Sequence, residues 1–263
     1  MKTTITTSPA IAASFIRDGE IAAFPTETVY GIGADAFNDK AIRKIFVAKG
    51  RPLDNPMIVH IVNLSDLKLL ARRIPRSAEK CIEAFFPGPL TIVVRKHERV
   101  SSLITAGLDT VCIRMPRNLI AQKFLELSGT PVVAPSANRS GKPSPTTWQA
   151  VKSDLGGRIP GILKGTQAEI GLESTVIDCT RRTPEILRAG GISLEELRGI
   201  IPAARLARHL ELHHARSPGM KYRHYEPEAR VELVANPESA RPARKSAYIG
   251  LAIPSDAKKF DRT

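Results

Sequence analysis

The sequence predicts a mixed α/β fold, and three observations support that prediction. Capped amphipathic stretches alternate repeatedly with short apolar runs rich in Val and Ile. Hydrophobic residues make up 42% and charged residues 25% of the chain, which excludes disordered, collagen-like and coiled-coil classes. The 263 residues leave room for one large domain and a smaller piece. Strand order and direction do not follow from such a pattern.

Each element has its own local signal. Ser8 as N-cap, Pro9 at the first helical position and Gly19 beyond the end frame a first helix, with Ile11, Phe15 and Ile16 expected to face inward. Glu20 to Phe24 reads as a strand running into a Pro-, Thr- and Gly-rich loop. Asn38 caps a second helix that carries Ile42, Ile45 and Phe46 and stops at Gly50. Met57 to Val62 is a strand, Ser65 to Arg73 and Ser77 to Phe86 are helices, and Leu90 to Val94 and Thr110 to Met115 are strands. Asn118 starts a helix that reaches Leu127, Pro131 to Ala134 is a short strand, and Thr147 starts a helix through Asp154. Val176 to Cys179 and Glu185 to Arg188 are strands, and Ser193 to Ile200 is a helix. Residues 1–202 form the first domain of this reading. Residues 203–230, with four of the six histidines and a Ser217-Pro218-Gly219 turn, read as a linker. In 231–263, Val231 to Ala235 and Ala247 to Ile253 supply two strands and no helix, too little for an independent core.

A net charge of +13 points to an anionic partner such as a nucleotide, RNA or phosphate. A merely basic surface explains the same number. No apolar run has the length of a membrane span and no leader pattern opens the chain, so a soluble, cytoplasmic protein without a membrane partner is expected. Cys81, Cys112 and Cys179 lie far apart in apolar contexts and read as reduced, buried thiols. His209, His213 and His214 have only Glu211 nearby and no cysteine, which argues for a solvated linker rather than a metal site; no protein metal site is expected.

The motifs of the commonest nucleotide folds are absent: there is no P-loop, no dinucleotide fingerprint beyond Gly31-x-Gly33, and no G-x-S-x-G elbow. Polar loops after strands remain. Pro25-Thr26-Glu27-Thr28-Val29-Tyr30-Gly31-Ile32-Gly33 offers hydroxyls, a carboxylate and close backbone approach to a small polar substrate, or is an ordinary glycine turn. Lys49-Gly50-Arg51 before Asn55-Pro56 sets two cations on a stiffened loop suited to a polyphosphate, although cations also favour helix C-termini. Ala134-Pro135-Ser136-Ala137-Asn138 with the following Ser- and Lys-bearing loop, Glu173-Ser174-Thr175, Arg114, and Arg188 before Gly190-Gly191 complete the candidates.

In order and spacing, these segments across about residues 5 to 200 resemble the YrdC-like domain family. Ser217 to Pro227 resembles the linker of its long, two-domain form, the threonylcarbamoyl-AMP synthases. The resemblance implies a YrdC-like mixed twisted sheet with flanking helices, followed by a linker and an incomplete α/β C-terminal piece, with 231–263 a truncated remnant. It also implies a nucleotidyltransferase that joins L-threonine, bicarbonate and ATP, with Mg²⁺ accompanying ATP, into L-threonylcarbamoyladenylate and pyrophosphate for tRNA threonylcarbamoyladenosine synthesis. Its protein partners would be tRNA-modifying enzymes, with direct tRNA contact left open. Lys49 and Arg51 are then expected to be catalytic by screening phosphate charge. Asn55, Thr110, Ser136, Ser144, Arg188 and Tyr225 are expected to join them around ATP, with Tyr225 in a lid. Thr28, His60, Arg114, Ala134 and Ser174 are expected around threonine, Arg114 pairing with the carboxylate and His60 either taking a proton or donating a plain hydrogen bond. Two other readings stay open: a non-enzymatic RNA-binding protein of the same fold, and carbamoyl transfer to another acceptor.

Overall fold

The computed structural model describes residues 1–207, 232–242, 246–250, 252, 254, 255, 258 and 260. Chain contacts divide into two compact units, Met1–Glu226 and Pro227–Thr263. In the first, the elements run β1 (Thr4–Thr6), α1 (Pro9–Arg17), β2 (Ala22–Phe24), β3 (Gly31–Asp35), α2 (Asp39–Lys49), β4 (Ile58–His60), α3 (Leu67–Leu70), α4 (Arg76–Phe85), β5 (Leu90–Arg95), α5 (Ser102–Thr105), β6 (Thr110–Arg114), α6 (Leu119–Ser128), β7 (Val132–Val133), α7 (Trp148–Leu155), β8 (Gly161–Leu163), β9 (Thr175–Asp178), β10 (Glu185–Arg188), α8 (Leu194–Ile200) and β11 (Arg205–Leu206). The strands form one mixed sheet in the order β1-β8-β2-β3-β7-β4-β6-β5-β9-β10-β11.

Local chemistry sets the helix ends. The side chains of Ser8, Asn38, Asn118, Thr147 and Ser193 each accept a backbone N–H of the helix they open, and Ser193 with Glu196 closes a reciprocal capping box. Gly50 ends α2 with φ 60°, a left-handed turn that reverses the chain at the candidate cationic loop. Alternation along β2 then sorts the core. Ala22 and Phe24 face α1 and α6, where Phe24 stacks on Phe124 at 4.8 Å, while Ala23 faces the larger cluster that holds Ile42, Ile82 and Leu197.

Several expectations change. Ile11 is 50% exposed rather than inward; it lies five residues and so about 140° around the helix from buried Ile16. Gly31 to Gly33, read as part of a loop, opens strand β3. Its glycines make room for protein: a Cβ on Gly33 would sit 2.6 Å from Val132 Cγ1, and one on Gly31 would sit 3.2 Å from Phe24 Cζ. The helix expected over 65–73 is a 3₁₀ turn and the short α3, cut off where Ala71 forms a bridge with Lys96. Arg205–Leu206, inside the segment read as linker, pairs in parallel with β10. Cys81, Cys112 and Cys179 are free, buried thiols, as the sequence suggested. In the second unit, Glu232 to Val234 carry no strand and Ala247 makes only an isolated bridge, whereas Pro237–Ser239 is a 3₁₀ turn. Val231, Leu251 and Ile253 of the two expected strands lie outside the described residues.

Candidate active site

The sheet order brings together loops that are distant in sequence. β4 and β6 are parallel neighbours with His60 opposite Arg114, so both side chains emerge at the same strand ends. β3 begins at Gly31, which bridges Ser136, while the Ala134 N–H donates to the Ile58 carbonyl at 2.8 Å. The Glu173–Thr175 backbone packs against Gly190 so closely that a Cβ there would lie 2.3 Å from the Glu173 carbonyl oxygen. Between these segments lies a cavity of about 440 Å³, within the range of small-molecule sites.

Of the residues expected around threonine, Thr28, His60, Arg114, Ala134 and Ser174 all line this cavity, as do Arg51, Ser136, Ser144 and Arg188 of the ATP set. Lys49, Asn55 and Thr110 do not. Buried Lys49 donates from its ammonium to the carbonyls of Ser136 (2.6 Å) and Asn138 (2.5 Å) and to Asn138 Oδ1 (3.4 Å). Burial and the neighbouring Arg51 push it well below the usual lysine range, with Asp154 opposing. Asn55 is buried with Oδ1 lacking a hydrogen-bond partner. Thr110 is at the opposite end of β6 from Arg114, on the same face by alternation. Tyr225 and the rest of its segment lie outside the described residues.

Three guanidinium groups from separate elements share the lining. Arg51 donates to the carbonyls of Asn55 (3.0 Å) and Pro56 (2.9 Å), and Arg188 to the Ser174 carbonyl (2.9 Å) and hydroxyl (3.1 Å). Arg114 is gripped by the Gly88 carbonyl (3.2 Å), the Thr28 hydroxyl (2.7 Å) and the Glu27 carboxylate (2.7 Å). The sequence suggested that Glu27 would orient a substrate; it is instead fully buried as the Arg114 partner. Glu173 is the carboxylate of the lining, and its Oε1 accepts from Ser144 at 2.7 Å. Burial, reinforced by Arg114, lowers His60 to about 3, so its imidazole is neutral at physiological pH. That favours the hydrogen-bonding role over the proton acceptor, because so weak a base does not hold an ammonium proton. Ile58, two residues before His60, also lines the cavity; strand alternation from His60 was the available signal for it.

Comparison with known proteins gives the family. Residues 14–190 match the Sua5_yciO_yrdC family, described as "Telomere recombination". The chain belongs to this family. Residues 192–259 further match the family described as "Threonylcarbamoyl-AMP synthase, C-terminal domain", which begins inside the stretch that the sequence reading gave to the first domain. The threonylcarbamoyl-AMP synthase of Pyrococcus abyssi (strain GE5 / Orsay) is 51% identical over 86% of this chain and 68% of its own length. That of Bacillus subtilis (strain 168) is 47% identical over 85% and 66%. The crystal structure of P. abyssi Sua5 complexed with L-threonine aligns with TM-score 0.81 and 49% identity over 87% of this chain and 69% of that one. This Sua5/YciO/YrdC member therefore spans about two thirds of the length of these relatives. Among its described residues no helix is long and apolar enough to cross a membrane.

Proposed function

We propose that this family member is an L-threonylcarbamoyladenylate synthase, condensing L-threonine, bicarbonate and ATP with release of water and pyrophosphate and so serving tRNA threonylcarbamoyl modification. The observation that carries this reading is one cavity lined by the guanidinium groups of Arg51, Arg114 and Arg188, by serine hydroxyls and by a neutral imidazole. Such a lining suits a carboxylate and a triphosphate held side by side.

The threonine carboxylate meets Arg114. Neutral His60 hydrogen-bonds the amino acid, and the hydroxyls of Thr28, which Arg114 holds, and of Ser174 line the same cavity. Threonine nitrogen and bicarbonate give a carbamate, whose anionic oxygen attacks the α-phosphorus; pyrophosphate leaves. Arg51 and Arg188 offset the charge of the phosphates, and Ser136 and Ser144 orient them. Lys49 holds the Ser136–Asn138 backbone from beneath, fixing where that loop presents its hydroxyl. No side chain needs to form a covalent bond, since holding the reactants in line can contribute roughly 7 to 11 kcal/mol.

Mg²⁺ enters with ATP as the counter-ion of the triphosphate. Such an ion is held mainly by phosphate and water, with one or two protein carboxylates. Glu173, the carboxylate of the cavity lining, would hold it, and the ion would screen charge on the phosphates. Bicarbonate, cytoplasmic location and tRNA-modifying partner enzymes belong to this proposal as well.

A pyrophosphate-release assay tests it. Pyrophosphate and an AMP adduct are expected only when L-threonine, bicarbonate, ATP and Mg²⁺ are all present. ADP and phosphate as products, or equal turnover with every amino acid tried, would overturn the reading.

A further inference from the structure

Arg114 is held at all three of its guanidinium nitrogens. Its Nε donates to the Gly88 carbonyl, Nη1 to Thr28 Oγ1 and Nη2 to Glu27 Oε1. A guanidinium carries five N–H groups, so these three bonds leave one on each terminal nitrogen, a pair that a carboxylate can bridge. Two of the three holders are neutral. Glu27 is the third, and although Arg114 and Thr28 line the cavity, Glu27 itself does not.

Glu27 is in turn fixed from other directions. Its Oε2 accepts from the Asn118 N–H at 3.4 Å, at the start of α6, and its carbonyl accepts from the Ile170 N–H at 2.9 Å. With 4% and 0% side-chain exposure the Arg114–Glu27 pair is dry. A buried ion pair gains little stability over an apolar pair of the same shape, because desolvating both charges offsets their attraction. Its electrostatic effect on an incoming carboxylate is also unfavourable, since it brings a negative charge to the group that must bind another.

We propose that Glu27 is a positioning residue for the amino-acid substrate: it turns the Arg114 fork so that its two remaining N–H groups meet the substrate carboxylate. This rests on the reading of the cavity as an amino-acid site. Orientation and charge neutralisation predict opposite signs, which makes the idea decidable. If Glu27 mainly cancelled the charge of Arg114, removing its charge would tighten substrate binding. If it positions the fork, the same change weakens binding.

The test is calorimetric titration of the whole chain, with and without ATP and Mg²⁺, using L-threonine and L-threoninol, which replaces the carboxylate by a hydroxymethyl group. Wild-type protein should bind L-threonine and discriminate against L-threoninol. Glu27→Gln keeps the shape and should raise the Kd for L-threonine by about tenfold or more, the weight of a charge-assisted hydrogen bond. L-threoninol and ATP affinities should move by less than about threefold, within the scatter expected of an uninvolved group. Glu27→Asp, which keeps the charge on a shorter arm, should fall between the two. In an Arg114→Lys background Glu27→Gln should add little, since the two act as a unit. Should Glu27→Gln not fold, the Glu27→Asp and Arg114→Lys cycle reads the same coupling. Equal or tighter L-threonine binding by Glu27→Gln, or losses that add fully in the cycle, would overturn the positioning role alone. A wild-type protein that binds neither compound would instead overturn the amino-acid reading beneath it.

Discussion

Acidification should expose the buried imidazole of His60. This side chain ends β4 beside Arg114, packs edge-on against the Phe24 ring at 5.8 Å, and has its ionisation lowered from 6.5 to about 3. The folded value lies below the unfolded one, so between these limits the unfolded chain binds a proton that the folded chain refuses. Stability is therefore complete above about pH 6.5 and is lost as pH falls toward 3. Within the window the slope approaches about 1.4 kcal/mol per pH unit, which integrates to a loss of about 2 kcal/mol between pH 7 and pH 5 from this one group. Glu and Asp titrations and the other histidines add their own slopes, which a His60→Gln variant shares. Urea unfolding followed by circular dichroism at pH 7, 6 and 5 should show the variant losing about 2 kcal/mol less than wild type over that range. Parallel pH dependences for the two proteins would refute a neutral, desolvated His60, and with it the argument that this residue is a hydrogen-bonding partner and not a base.

Other outcomes follow from single contacts. Gly190→Ala puts a methyl 2.3 Å from the Glu173 carbonyl oxygen and 2.5 Å from the Ser174 carbonyl carbon, so it should cost at least about 1 to 3 kcal/mol in thermal or urea unfolding and lower activity by displacing a cavity wall. Lys49→Met removes the donor shared by Ser136 and Asn138; turnover should fall by about tenfold or more, accompanied by faster amide exchange in the 136–142 loop. Arg51→Ala should lower turnover by a similar factor of about ten while leaving exchange in that loop unchanged, measured on the same samples. Tyr30→Phe deletes the hydroxyl that accepts from the Gly165 N–H at 3.1 Å and donates to the Thr166 carbonyl at 3.2 Å, and should cost about 1 kcal/mol in the unfolding midpoint analysis.

What could be read in the sequence was what is decided locally. The N-caps at Ser8, Asn38, Asn118, Thr147 and Ser193 depend on three or four neighbouring residues, and each forms as its sequence predicts. The three-residue strands β1 and β8 went unrecognised because neither has a pattern of its own; they exist through pairing with one another and, for β8, with β2. β3 was hidden by glycines that look like loop punctuation and are required instead by the Phe24 ring and Val132. The site divides in the same way. Residue types and order marked Arg114, His60 and the Ser136 loop, largely through the family resemblance, but Glu27 and Arg114 meet only because the sheet order brings them together.

Lys49 and Arg51 show why proximity in sequence is a poor guide to shared chemistry. As a pair of cations around a glycine they invite a single role. Lys49, however, is the last residue of α2, and the left-handed turn at Gly50 reverses the chain before Arg51. The ammonium is thereby directed under the Ser136–Asn138 backbone, while the guanidinium reaches the cavity. One positive φ thus separates a group that fixes the Ser136–Asn138 loop from a group that lines the cavity. The contrasting exchange behaviour expected of Lys49→Met and Arg51→Ala is the direct consequence: equal losses of turnover, with the loop loosened in only one of them.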